Sequence, residues 1–308
     1  MSRIHEALKK AAEERNAQVA ERSVSDLVDL SDSKESTPIV RGAQETPHAT
    51  RKSASVGREI TQFEEFAEHC KTVAWKCDPS ASVFSTQFEH QAGTEKFRTL
   101  RSRLYQIASA QPLKRILITS STPAEGKTFV AANLAQSFIR QTNRRVLLID
   151  SDLRASRLHL HLGAPETPGL SDYLQGECDE FQIIQMGMGG NLCLIPGGSD
   201  VSNPSELLHS DRMKQLLDRM SVLFDWIILD SPPALAVHDA SILADMCDGV
   251  LFVVRAGTTD FQLAEKASAE FREKNLLGVV LNRVEKHDAY GGYYYYGYEP
   301  DKADETKS

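Results

Sequence analysis

Ser120-Ser121-Thr122-Pro123-Ala124-Glu125-Gly126-Lys127-Thr128 decides how the rest of the chain is read. An apolar run, Arg115 to Thr119, precedes it, and a helical pattern through Phe129, Ala132, Leu134 and Phe138 follows. Strand, loop and helix in that order are the setting of a phosphate-binding loop, whose pattern ends in Gly-Lys-Ser/Thr. Ser121 stands where the pattern has its first Gly, so the loop is a deviant form with its second half intact. Gly126 lets the backbone approach phosphate oxygens, and the following helix offers unpaired N-terminal amides. Lys127 neutralises β/γ charge and Thr128 can ligate magnesium. A loop with a chance Gly-Lys-Thr is the plain alternative, and it does not explain the flanking pattern.

Working outward, apolar runs at Arg145 to Asp150, Leu192 to Ile195, Trp226 to Asp230, Val250 to Val254 and Gly278 to Leu281 alternate with helical patterns. Alternation at this spacing predicts an α/β fold of the P-loop NTPase type, a mostly parallel sheet with helices on both faces. Ligands bind at the carboxyl ends of strands in such sheets. Two of those ends carry acids. Asp150 is followed by Asp152 and Arg154, a pair of carboxylates able to share metal ligation and base work, with an arginine for phosphate or substrate. Asp230-Ser231-Pro232-Pro233 supplies a further carboxylate beside the magnesium position. A solvated acidic turn would account for either alone, but not for three strand-end sites in this order.

The 308 residues are 41% hydrophobic with net charge −8, enough for one sizeable core and without the basic surface that marks nucleic-acid binding. Cys70, Cys77, Cys178, Cys193 and Cys247 are scattered and odd in number, which points to reduced, mostly buried thiols. No apolar run approaches the roughly 20 residues of a membrane helix. Ser2-Arg3-Ile4-His5-Glu6 lacks the order of a secretory signal, so a cytoplasmic location is expected. The organisation expected is a short helix over 1–18, a mostly disordered linker over 19–86, the catalytic domain over 87–285 and a flexible tail over 286–308. Phe63, Phe66 and Ala67 mark a further helical pattern within the linker.

From about Glu95 onward the chain resembles the cytoplasmic kinase domain of bacterial tyrosine kinases of capsule and exopolysaccharide synthesis. The resemblance rests on the phosphate loop, Asp150-Ser151-Asp152-Leu153-Arg154 and Asp230-Ser231-Pro232-Pro233 in this order, joined by Glu95-x-x-Arg98-x-x-Arg101 and Asn203-Pro204-Ser205-Glu206-Leu207-Leu208. It implies ATP and Mg2+ as cofactors. Pro123, Ala124, Glu125, Gly126, Lys127, Thr128, Phe129, Asn282 and Arg283 would contact the nucleotide. Thr128, Asp152 and Asp230 would hold the metal, and Lys127, Asp150, Asp152, Arg154 and Asp230 would carry the chemistry. Asp150 would take the proton of a tyrosine hydroxyl, or else act as a second magnesium-ordering acid. Glu95, Arg98 and Arg101 would form an oligomerisation strip, where a solvated helix face is the plain alternative. Implied partners are further copies of the chain, a ring among the forms, and a transmembrane chain-length regulator that recruits the kinase to the inner membrane face.

Septum-site and plasmid-partition ATPases share the fold but carry a lysine five residues before the loop lysine, and Thr122 stands there. A dimer switch of that kind lacks its crossing charge here, while a nucleotide-sensing scaffold for polysaccharide assembly is a further reading that can run beside catalysis. Tyr290, Tyr293, Tyr294, Tyr295, Tyr296 and Tyr298 fall among Gly291, Gly292 and Gly297, six of the chain's eight tyrosines. A sticky low-complexity end is one reading of this tail. The family resemblance gives the other, an autophosphorylation cluster, in which each phosphate would add about −1.5 to −2 charge and loosen any assembly the tail holds.

Overall fold

The computed structural model describes residues 62–84 and 92–284. In chain order its elements are α1 (Phe63–His69), β1 (Lys71–Thr72), α2 (Ala92–Ala110), β2 (Arg115–Ser120), α3 (Lys127–Ile139), β3 (Val146–Asp150), α4 (Leu158–Leu162), α5 (Leu170–Gln175), α6 (Glu180–Ile183), β4 (Gln185–Gly187), β5 (Leu192–Ile195), α7 (Pro204–Leu208), α8 (Asp211–Leu223), β6 (Trp226–Asp230), α9 (Asp239–Ala244), β7 (Gly249–Arg255), α10 (Phe261–Ala269) and β8 (Leu276–Asn282). The described strands form an eight-stranded sheet in the order β1-β4-β5-β3-β6-β2-β7-β8. Every neighbouring pair from β5 to β8 is parallel, while β4 runs antiparallel to β5 and pairs in parallel with β1.

Successive strand residues point to opposite faces, so each buried strand feeds two apolar layers. Leu117, Leu147, Ile149, Ile227, Leu229 and Phe252 enter one layer, which α1 and the helices from α5 to α10 cover. Ile116, Ile118, Val146, Leu148, Ile228 and Val253 enter the other, under α2, α3 and α4. Burial on both faces is why these strands read as unbroken apolar runs. Phe138, at the end of α3, is fully buried and stacks on Trp226 with ring centroids 4.3 Å apart. Phe138→Ala is expected to cost about 3–5 kcal/mol by leaving a cavity. A denaturation midpoint unchanged from wild type would contradict this packing.

The ordered unit begins upstream of residue 87. Phe63 and Phe66 are core residues against Phe224, and Arg145 lies over the Phe63 ring at 4.6 Å. Farther on, Ser82 donates to Gln136 at 2.7 Å, Val83 N–H donates to Asn133 at 2.9 Å, and Asn133 donates back to the Ala81 carbonyl at 2.9 Å. This strap fixes residues 81–84 along α3, so part of the segment assigned to linker is core. Of the thiols, Cys70 and Cys193 are buried and the other three half-buried, and none is in a disulfide. No helix among the described residues is long and apolar enough to cross a membrane. The expected helix at 1–18 and the tyrosine cluster lie outside the described residues.

Candidate active site

β2 sits in the middle of the parallel strands, between β6 and β7, so the loop leaving it emerges at the centre of the sheet's carboxyl edge. That loop is held from three directions. The buried Glu125 carboxylate accepts Ser121 Oγ at 2.9 Å and Thr122 N–H at 2.8 Å, and it also accepts Thr259 Oγ1 from the loop after β7. Asn282, the last residue of β8, donates its amide to the Glu125 carbonyl at 2.9 Å. Ala124 and Gly126 take positive φ values of 63° and 98°, which curl the chain before α3 starts at the buried Lys127. A side chain at Gly126 would be strained by that φ and would bring its Cβ within 2.1 Å of Asn282 Nδ2. Gly126→Ala is therefore expected to free Asn282 from Glu125 and weaken nucleotide binding about tenfold, at a local conformational cost of about 1–2 kcal/mol. Nucleotide titration of the variant checks this, and wild-type affinity would contradict it.

Asp150 and Asp230 are register partners at the ends of β3 and β6, and both are buried. Asp150 Oδ2 accepts Ser156 Oγ at 2.8 Å and the amides of Arg157 and Leu158 at 2.9 Å. Burial pushes its carboxyl up to about 6 against those hydrogen bonds. Asp230 is pushed well above the usual carboxylate range, first by burial and then by Asp150, although Lys127 and the Thr128 hydroxyl act the other way. Asp152 is also raised by burial, opposed first by Lys127. Lys127, Thr128, Asp150, Asp152 and Asp230 thus share one electrostatic neighbourhood.

Asp230 Oδ1 is buried and has no hydrogen-bond partner among the described residues. A buried orphan oxygen beside a lysine and a threonine hydroxyl fits magnesium, which takes one or two carboxylates and leaves its other positions to water and phosphate. It does not fit a metal held by protein alone, and among the described residues no His/Cys/Asp/Glu cluster could form such a cage.

Other expected residues lie elsewhere. Arg154 turns to Asp239, with Nε 2.8 Å from Oδ2, instead of standing free for phosphate. Phe129 packs edge-on to Phe97 in the core layer, at 6.1 Å, which makes it a packing residue more than a nucleotide contact. Pro123, Ala124 and Arg283 are exposed around the loop mouth. Glu95 and Arg98 pair with each other on the exposed face of α2, whereas Arg101 donates inward to the Ser137 carbonyl at 2.5 Å. The strip of three is therefore a pair plus an anchor within the chain. Thr259 was missed; its only signal was its place just past the carboxyl end of β7.

Residues 116–294 match the CobQ/CobB/MinD/ParA nucleotide binding domain family, which defines the class as a P-loop nucleotide-binding protein. The chain is 36% identical over 208 residues to the tyrosine-protein kinase YwqD of Bacillus subtilis, aligned over 66% of this chain and 86% of YwqD. It is 36% identical over 208 residues to the tyrosine-protein kinase Wzc of Salmonella typhimurium, but there it spans 29% of the relative's length. The solved kinase domain of the Escherichia coli tyrosine kinase ETK superposes with a TM-score of 0.63 at 33% identity, over 70% of this chain and 84% of that one. The chain belongs to the bacterial tyrosine-protein kinases.

Proposed function

We propose that this chain transfers the γ-phosphoryl group of ATP to tyrosine hydroxyls, foremost those at 290–298, and that this controls capsular or exopolysaccharide synthesis and export. The observation that carries the reading is the meeting of Lys127, Thr128, Asp150, Asp152 and Asp230 at neighbouring strand ends in a chain whose relatives are tyrosine kinases. Lys127 and the N-terminal amides of α3 bind the β and γ phosphates. Thr128, Asp152 and Asp230 would hold magnesium, which when bound neutralises the charge on those oxygens. The tyrosine oxygen bonds to the γ phosphorus as the β–γ bridging bond breaks and ADP leaves. Its proton passes to a carboxylate, for which Asp150 is the candidate. The incoming hydroxyl must reach Asp150 Oδ1, the oxygen that among the described residues carries only the Asp152 N–H at 3.2 Å.

Transfer runs between molecules in this reading. β8 ends beside its own phosphate loop, so one of two requirements for self-insertion is met. The other is a reversal within the residues from Asn282 to Ala289, and so short a closure is stiff. In an oligomer, the tail's effective concentration would be on the order of millimolar at a neighbour's site. The exposed Glu95 and Arg98 remain the proposed contacts between copies, and a transmembrane regulator remains the proposed membrane partner. Mixing Lys127→Met protein, whose tail is intact, with active protein carrying Phe at all six tail tyrosines tests the direction. Phosphotyrosine is expected on the inactive partner. None there, with wild type modified at a rate independent of concentration, would establish transfer within one chain.

A further inference from the structure

Arg154 in the turn after β3, Ser205 in α7 and Asp239 at the start of α9 close a ring of hydrogen bonds. Arg154 Nε donates to Asp239 Oδ2 at 2.8 Å and Nη2 to Oδ1 at 3.4 Å. The same Nη2 donates to Ser205 Oγ at 2.9 Å, and Ser205 Oγ donates to Asp239 Oδ1 at 2.5 Å. The Asp239 side chain is 1% exposed and that of Arg154 40%, so the guanidinium closes the ring from the solvent side. The planar edge that could clamp a phosphate is thereby spent on a carboxylate of the same chain. Arg154 belongs to a tight turn in which the Ala155 amide donates to Asp152 Oδ1 at 3.1 Å. Fixing Arg154 fixes the turn, and the turn aims Asp152.

We propose that Asp239 is a positioning residue: through Arg154, with Ser205 as the brace, it holds the Asp152 carboxylate where magnesium bound to the nucleotide needs it. This gives the Asn203-Pro204-Ser205-Glu206-Leu207-Leu208 segment a task at the site, because its serine ties α7 to the turn after β3. It also moves Arg154 from the phosphates to the support behind them. The inference deepens the kinase reading but rests on it only for the use of magnesium nucleotide. Its test therefore measures binding and not phosphate transfer.

In the full chain, a fluorescent non-hydrolysable ATP analogue is titrated at a series of magnesium concentrations. The proteins compared are wild type, Asp239→Asn, Arg154→Ala, the double variant, Ser205→Ala and Asp152→Asn as reference. Each charge variant is expected to raise the magnesium needed for half-maximal binding about tenfold, and the double variant no further, because both substitutions break one interaction. Ser205→Ala, which leaves both charges in place, is expected to shift it about threefold. Nucleotide binding without magnesium should stay within about twofold of wild type. A lowered thermal midpoint in Asp239→Asn with an unchanged magnesium requirement would reduce the ring to fold stability and overturn the proposal. A double variant shifted about a hundredfold would overturn it differently, by showing that Arg154 meets the nucleotide independently of Asp239. If a charge variant does not fold, Ser205→Ala decides, and no shift there counts against the proposal. Failure of the kinase reading would appear instead as intact magnesium-dependent binding with no phosphotyrosine on any acceptor.

Discussion

Lys127→Met is expected to abolish phosphate transfer, with tyrosine phosphorylation falling by roughly 1,000-fold or more. The side chain is buried at the first position of α3, and its charge bears on both Asp152 and Asp230. Methionine keeps the length and suits a helix, so the loss isolates the charge. Without it, the β and γ phosphates would lose their one fixed side-chain cation in this loop, leaving backbone amides and bound magnesium to offset the three nearby carboxylates. The fold should survive, because α3 is held to the sheet by Val130, Leu134 and Phe138. Phosphotyrosine yield and thermal midpoint, read together on the variant, check both halves. Undiminished phosphotyrosine would remove this loop from the mechanism.

Asp230→Asn is expected to separate activity from stability. Turnover should fall about 100-fold at limiting magnesium, since an amide replaces the carboxylate whose buried Oδ1 has no partner among the described residues. Stability of the nucleotide-free chain should rise by about 1–2 kcal/mol. The sign follows from burial and Asp150, which raise the Asp230 carboxyl. A group raised in the folded state resists ionisation there, so at neutral pH its charge weakens the fold and neutralising it relieves that cost. Denaturant unfolding with magnesium-dependent kinetics tests the pair of effects. A less stable and fully active variant would show that Asp230 serves packing alone.

The six longer strands were legible as apolar runs: burial on both faces leaves β2, β3, β5, β6 and most of β7 no polar alternation to blur, and β8 keeps an apolar run although Val279 and Leu281 are exposed. β1 and β4 were not, since Lys71-Thr72 and Gln185-Met186-Gly187 are too short and polar to show a period. Phe63, Phe66 and Phe84 anchor the start of the unit; the helical pattern through Phe63 and Phe66 was legible and is α1, but polar neighbours hid that it packs into the core. At the site, residues carried in one run of chain were readable, as with the phosphate loop and the two acidic strand ends. What stayed hidden joins distant positions. Thr259 meets Glu125 across 134 residues and Asp239 meets Arg154 across 85, and no local pattern encodes either contact. Arg101 shows the converse. Helical spacing places it near Arg98, yet its long side chain turns back to cap α3 through the Ser137 carbonyl.

The most direct measurement is phosphosite mapping of the purified full chain after incubation with magnesium ATP, beside Lys127→Met under the same conditions. The account predicts phosphate on tyrosines between Tyr290 and Tyr298 in the wild-type chain and none in the variant. Hydrolysis of ATP by the wild-type chain with no phosphotyrosine anywhere, even with a candidate membrane partner's cytoplasmic segment added, would contradict it.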